Sequence, residues 1–244
     1  MKRLLAVLLP ALLLAGCVTE YPKGEKPTEP NLREAARANT QLGIEYARQG
    51  NFDLALEKLR RALQQDGAYA PAHGAIALLH ARRGEDEKAE SHYRRSLSLD
   101  SKDPSTRNNF AVFQCGRGKV REGEDLLLEA ARDARYSARE GAWTNAGICV
   151  RRTDPARAER YFREALAINP DFPDALLELA GLAAQGQDWL KVRAFIQRRD
   201  RVVPATAQSL LLALQAERAL GDARAAAELE RRLRTEFPAT ALPG

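Results

Sequence analysis

Residues 143–170 read WTNAGICVRRTDPARAERYFREALAINP. Two helical patterns share this stretch, with a turn between them. Trp143, Ala146-Gly147 and Ile148 mark the first, and Asp154-Pro155 punctuates it. Ala158, Phe162 and Ala165 follow at offsets of 4 and 7, which fall on one helix face. Pro170 closes the unit. One small residue and one aromatic on the second helix face an apolar first helix, so the unit is an antiparallel helix pair.

The same unit recurs in both directions. Small residues stand at Ala55, Ala89, Gly123, Ala158, Val192 and Ala226, spaced by 34, 34, 35, 34 and 34. An apolar residue lies four on at Leu59, Tyr93, Leu127, Phe162 and Ile196. Another small or apolar residue lies seven on at Ala62, Ser96, Ala130, Ala165 and Leu233. Pro170, Pro204 and Pro238 are also 34 apart. Gly50, Gly84, Gly118 and Gly221 mark turns between helices. A single helix pair cannot bury its apolar face, whereas stacked pairs make a continuous core. The period and pattern resemble the tetratricopeptide repeat. That resemblance implies an all-α, right-handed α-solenoid of about six repeats over residues 33–238, at about 36–69, 70–103, 104–138, 139–172, 173–206 and 207–238. Gly123 at the small slot, Val192 in the fifth repeat and Glu230 at the sixth aromatic slot depart from the pattern. The last helix, ARAAAELERRLRTEF over residues 223–237, is strongly charged and reads as a polar cap.

Composition agrees with a helical, folded chain. Of 244 residues, 45% are hydrophobic, 29% charged and 6% aromatic. The only long apolar run is at the start, which excludes a polytopic membrane protein. The formal charge of +5 falls to +3 without Lys2 and Arg3, with signs interspersed, so nucleic acid is not an expected partner.

The first residues read as an address. MKRLLAVLLPALLLAGC opens with Lys2 and Arg3, and its apolar stretch from Leu4 to Leu14 is too short for a stable span. Leu14-Ala15-Gly16-Cys17 resembles the lipobox of bacterial lipoproteins. The resemblance implies a signal peptide over residues 1–16, cut before Cys17, and a diacylglycerol on its thiol. Val18 rather than Asp after the cysteine implies the periplasmic face of the outer membrane, by the enterobacterial sorting rule. Residues 17–32, with Pro22, Pro27 and Pro30, read as a lipidated, extended tether.

Chemistry-bearing motifs are scarce. No G-x-S-x-G, P-loop or H-E-x-x-H pattern occurs. His73 and His80 are seven apart and lack metal-ligand spacing, so the three histidines read as packed or partly exposed. No enzyme, metal or cofactor is expected beyond the lipid on Cys17. Cys115 and Cys149, 34 apart on neighbouring first helices, favour a disulfide in an oxidising compartment over two buried thiols.

In such repeats, the slot after the Gly or Ala of the first helix faces the concave side. Here it holds Ile44, Leu78, Val112 and Ile148, then Gly181 and Gln215. This strip reads either as a groove for a peptide or helix or as ordinary packing between helices. The slot four earlier holds Thr40, Gly74, Asn108 and Thr144, with Asn108 able to bond a peptide backbone. Arg48 and Arg82 would rim the groove.

Several stretches resemble the PilF/PilW family, the type IV pilus pilotins. They are Asn39-Thr40-Gln41-Leu42-Gly43, Ser105-Thr106-Arg107-Asn108-Asn109-Phe110, Cys115 with Gly118, and Trp143-Thr144-Asn145-Ala146-Gly147-Ile148-Cys149. Ala111 replaces a glycine common at that position. The resemblance implies a non-catalytic lipoprotein that binds the pilus secretin subunit. It also implies delivery of that subunit to the outer membrane and support for its multimer there. A peptidoglycan-hydrolase adaptor or a subunit of the β-barrel assembly machinery is the alternative on the same fold.

Overall fold

The computed structural model describes residues 31–240. The signal and lipidation readings, Cys17 among them, and the tether up to residue 30 lie outside the described residues, whereas Leu32, read as the tether's end, opens the first helix. Among the described residues, twelve helices and no strands occur. The first six are α1 (Leu32–Arg48), α2 (Phe52–Gln65), α3 (Ala70–Arg82), α4 (Asp86–Leu99), α5 (Pro104–Gly116) and α6 (Val120–Arg132). They are followed by α7 (Arg139–Val150), α8 (Pro155–Ile168), α9 (Pro173–Gln185), α10 (Trp189–Asp200), α11 (Ala207–Leu220) and α12 (Ala223–Glu236).

Local chemistry sets the boundaries. Asp103, Asp154, Asp188 and Asp222 accept backbone N–H bonds at the starts of α5, α8, α10 and α12. Each satisfies donors that the first helical turn leaves open. Thr206 and Ser209 form a reciprocal capping box at the start of α11. Gly50, Gly84, Gly118 and Gly221 follow the odd helices with φ between 70° and 80°, a region in which a Cβ is crowded. In the fifth repeat that left-handed position falls to Gln187, at φ 57°.

Every odd helix packs on the even helix after it and on the next odd helix. Even helices pack on the following odd helix but not on one another. Odd helices thus form the more closely spaced layer, and curvature places them on the inner side of the stack. The small slots Ala55, Ala89, Ala158 and Val192 are completely buried, as are Leu59, Phe162 and Leu127 four residues beyond a small slot. At Gly147 a Cβ would sit 2.3 Å from the Phe162 ring, which explains Gly where Ala77 and Ala111 suffice elsewhere.

Two departures from the repeat pattern have physical causes. A Cβ on Gly123 would stand 2.3 Å from Cys115 Sγ and 2.9 Å from Ala111 O, so only glycine fits there. Glu230, at the sixth aromatic slot, needs no apolar partner because no helix follows α12 among the described residues; it pairs with Arg218 at 2.8 Å. Leu233 carries the packing instead.

Candidate functional site

The odd-helix layer carries the candidate groove. Ile44 on α1, Val112 on α5 and Ile148 on α7 remain 36%, 44% and 38% exposed, while Leu78 on α3 is half-buried. Packing between helices therefore does not consume these side chains. Large apolar residues left in water at equivalent positions of successive repeats make a strip rather than scattered exposure.

Two residues assigned to the groove do not line it. Thr40 is buried, and its hydroxyl donates to Ala36 O at 2.8 Å, one helical turn back. A β-branched hydroxyl on the buried face of a helix bonds its own backbone before it can meet a partner. Asn108 is 8% exposed, and its Oδ1 accepts from Asn145 Nδ2 at 3.0 Å. The amide that was expected to hold a peptide instead ties α5 to α7. The half-buried amides beside the strip are Asn109 and Asn145, one residue further along. Their signal lay in the Asn108-Asn109 pair and in Thr144-Asn145.

The arginines are both exposed. Arg48 pairs weakly with Glu45 at 3.5 Å, and Arg82 stands 6.0 Å over the Phe52 ring. A cavity of about 240 Å³ between α7 and α9 extends the strip. Ile148, Phe172 and Leu177 give it apolar walls, and Asn145, Asp174 and Glu178 give it polar ones. Glu178 is held by Arg151 across the same helices. With its Nδ2 donated to Asn108, Asn145 keeps Oδ1 as an acceptor for a backbone N–H. Phe172 closes the fourth repeat, and Leu177 carries the apolar surface into the fifth, beyond the four-repeat strip.

Cys115 and Cys149 are joined by a disulfide, with Cα atoms 5.4 Å apart. It clamps α5 to α7 directly behind Val112 and Ile148, alongside the Asn108–Asn145 bond. The even-helix side brings together His73, His80 and His92, which sequence spacing had kept apart because His92 arrives from another helix. Among the described residues, no group of three or more histidine, cysteine or acidic side chains is placed to hold a metal ion. No helix among them is long and apolar enough to cross a membrane.

Paired helices at a 34-residue period, stacked with the first helix of each pair inside, define a tetratricopeptide-repeat protein. The family model for the tetratricopeptide repeat matches residues 40–104 and 149–191. The chain is 31% identical over 233 residues to the type IV pilus assembly protein PilF of Pseudomonas aeruginosa, covering 95% of this chain and 92% of that one. A solved structure of P. aeruginosa PilF superposes with a TM-score of 0.77 at 30% identity, covering 86% of this chain and 95% of its own. The crystal structure of PilW, a widely conserved type IV pilus biogenesis factor, superposes at 0.75 and 29% identity, covering 84% and 94%. The chain belongs to the PilF/PilW family of tetratricopeptide-repeat proteins of type IV pilus assembly. Yeast Tom70, at 15% identity and a TM-score of 0.63, shares the fold alone.

Proposed function

We propose that this protein is a non-catalytic, lipid-anchored scaffold that binds the type IV pilus secretin subunit, brings it to the outer membrane and promotes its multimer there. Family membership supports a place in pilus assembly. The observation that carries the binding mode is the strip of Ile44, Val112 and Ile148, left exposed on one helix layer and flanked by Asn145 with a free acceptor. An extended or helical secretin segment would bury these side chains and use the amide for its backbone. The lipid on Cys17 would supply the destination, each buried methylene contributing about 0.8 kcal/mol. Residues 18–31 would supply reach.

The test is the state of the secretin in a deletion strain, read by membrane fractionation and unheated gel. Complementation with the native chain restores the heat-resistant multimer in the outer membrane. Cys17→Ala leaves it misplaced, and Ile148→Asp leaves the scaffold folded and anchored but weakens secretin capture at least about tenfold, as loss of a buried apolar anchor does. Normal secretin assembly in the deletion strain overturns the reading.

A further inference from the structure

The histidine cluster on the even-helix side makes a site of its own, independent of the secretin reading. His73 on α3 and His92 on α4 place their Nδ1 atoms 3.0 Å apart, and the His80 ring centre lies 5.7 Å from that of His92. A cleft of about 500 Å³ opens over them between α2 and α4, bordered by Arg60, Gln64, His80, Lys88 and His92.

The protons can be assigned from the hydrogen-bond network. His73 Nε2 lies 3.3 Å from the carbonyl oxygen of Gly67, which can only accept. Nε2 therefore carries the hydrogen of neutral His73, and its Nδ1 is a bare acceptor. His92 Nδ1–H donates to it, which leaves the Nε2 lone pair of His92 open. One further proton fits on His92 Nε2 without disturbing the inner bond. What opposes it is burial first, and then charge.

The charged side chains around His92 are mostly cationic. Arg60 approaches from α2, and Lys88 and Arg95 from α4 itself, while the His73 and His80 rings pack against it from α3. Glu85, at the start of α4, is the nearby carboxylate, and Lys88 holds it at 2.6 Å. His80 Nδ1 lies 3.0 Å from Glu85 but is not aligned to hydrogen-bond it. The α2 carboxylates Asp53 and Glu57 are already paired with Arg83 at 2.5 Å and Lys58 at 3.0 Å. Among the described residues, neither Arg60 nor Arg95 makes an ion pair. A metal cation would meet this field as repulsion. An anion would be attracted by it.

We propose that the cleft binds a phosphate-type anion, held by Arg60 and by His92 after one proton from solvent settles on its Nε2. Lys88 and Arg95 add attraction, and His73 keeps the His92 ring oriented. The chemistry suits inorganic phosphate and a phospholipid headgroup alike. Burial and the neighbouring cations push His92 down to about 4 without a ligand. A bound anion offsets that penalty.

The test follows the imidazole C2–H resonances against pH for the full chain in neutral detergent, with His92 assigned from His92→Gln. Inorganic phosphate is compared with chloride at equal ionic strength, then phosphatidylcholine vesicles with and without phosphatidylglycerol. Phosphate raises the His92 midpoint by about one pH unit or more, and Arg60→Gln abolishes the rise while Arg61→Gln keeps it. A rise with inorganic phosphate identifies the free anion as a sufficient ligand. A rise confined to phosphatidylglycerol vesicles identifies the headgroup. No rise with either, or a rise that survives Arg60→Gln, overturns the site.

Discussion

Gln187 occupies the turn position that glycine fills after α1, α3, α5 and α11, with φ 57° where a β-carbon is crowded. The strain of a left-handed non-glycine residue is about 1–2 kcal/mol, and the extra unfolded-state freedom of glycine returns about half of it. Gln187→Gly is therefore expected to stabilise the chain by about 0.5–1 kcal/mol in chemical denaturation. An unchanged or lower midpoint would show that the neighbouring backbone relieves the strain in another way. Gln114 poses the opposite problem. It is completely buried on α5, and neither of its amide atoms has a hydrogen-bond partner. At the equivalent place α7 has Val150, also fully buried. Burying an unpaired amide costs about 1–3 kcal/mol, so Gln114→Met, of similar length, should raise stability by about 1 kcal/mol. Destabilisation instead would reveal a polar partner, such as a bound water, that the substitution removes.

At the scale of the element, the α5–α6–α7 joint is built around its disulfide. The bridge closes a 34-residue loop, and the chain-entropy argument assigns such a loop about 3–4 kcal/mol. Gly123 exists to make room for it: the sulfur would meet a Cβ at 2.3 Å. Gly123→Ala should cost well over 2 kcal/mol in the oxidised protein, because both α5 and α6 must shift. In a Cys115→Ala, Cys149→Ala background the penalty should fall by at least about half, since the sulfur is gone and only backbone atoms, Ala111 O and the nitrogen of residue 115, still crowd the site. Equal penalties in both backgrounds would place the crowding on the backbone alone. This joint also shows what could be read in advance. The 34-residue period located both cysteines on neighbouring first helices, and the direct packing of α5 on α7 is what brings them together. Periodicity located Ile44, Val112 and Ile148 in the same way. It failed for Thr40 and Asn108, because a slot on a helix wheel does not say whether a side chain spends its hydrogen bonds on its own backbone or on the next helix. It also passed over Arg199, seven residues after Val192, where other repeats hold small or apolar side chains. That guanidinium is buried between α10 and α11, bonded to Asp200 at 2.6 Å and to Ser209 at 3.3 Å.

Across the whole molecule, stability in a stacked array is a sum of repeat and interface contributions, so one weak interface sets where the array opens. The pH response of this chain has two windows. Glu85, Glu90 and Asp133 are held below their usual values, chiefly by bonds from Lys88, Arg94 and Arg135. Their contribution is present above the ordinary carboxylate range and is lost in strong acid. His92 acts earlier. Its folded value is about 4 against 6.5 in the unfolded chain, so the unfolded state binds its proton first as pH falls. The stabilisation that neutral His92 gives is complete above about 6.5 and disappears between there and about 4. The ring is partly exposed, so screening reduces the effect to about 1–2 kcal/mol. The loss falls on the joint between α2, α3 and α4, and the first repeat, with no repeat before it among the described residues, should loosen first. Hydrogen exchange at pH 7 and pH 5 should show protection in α1 and α2 falling more than in α7 and α8. His92→Gln should flatten the response of α1 and α2 between those two pH values. Uniform loss along the array, or the same loss in the variant, would place the acid-sensitive interface elsewhere.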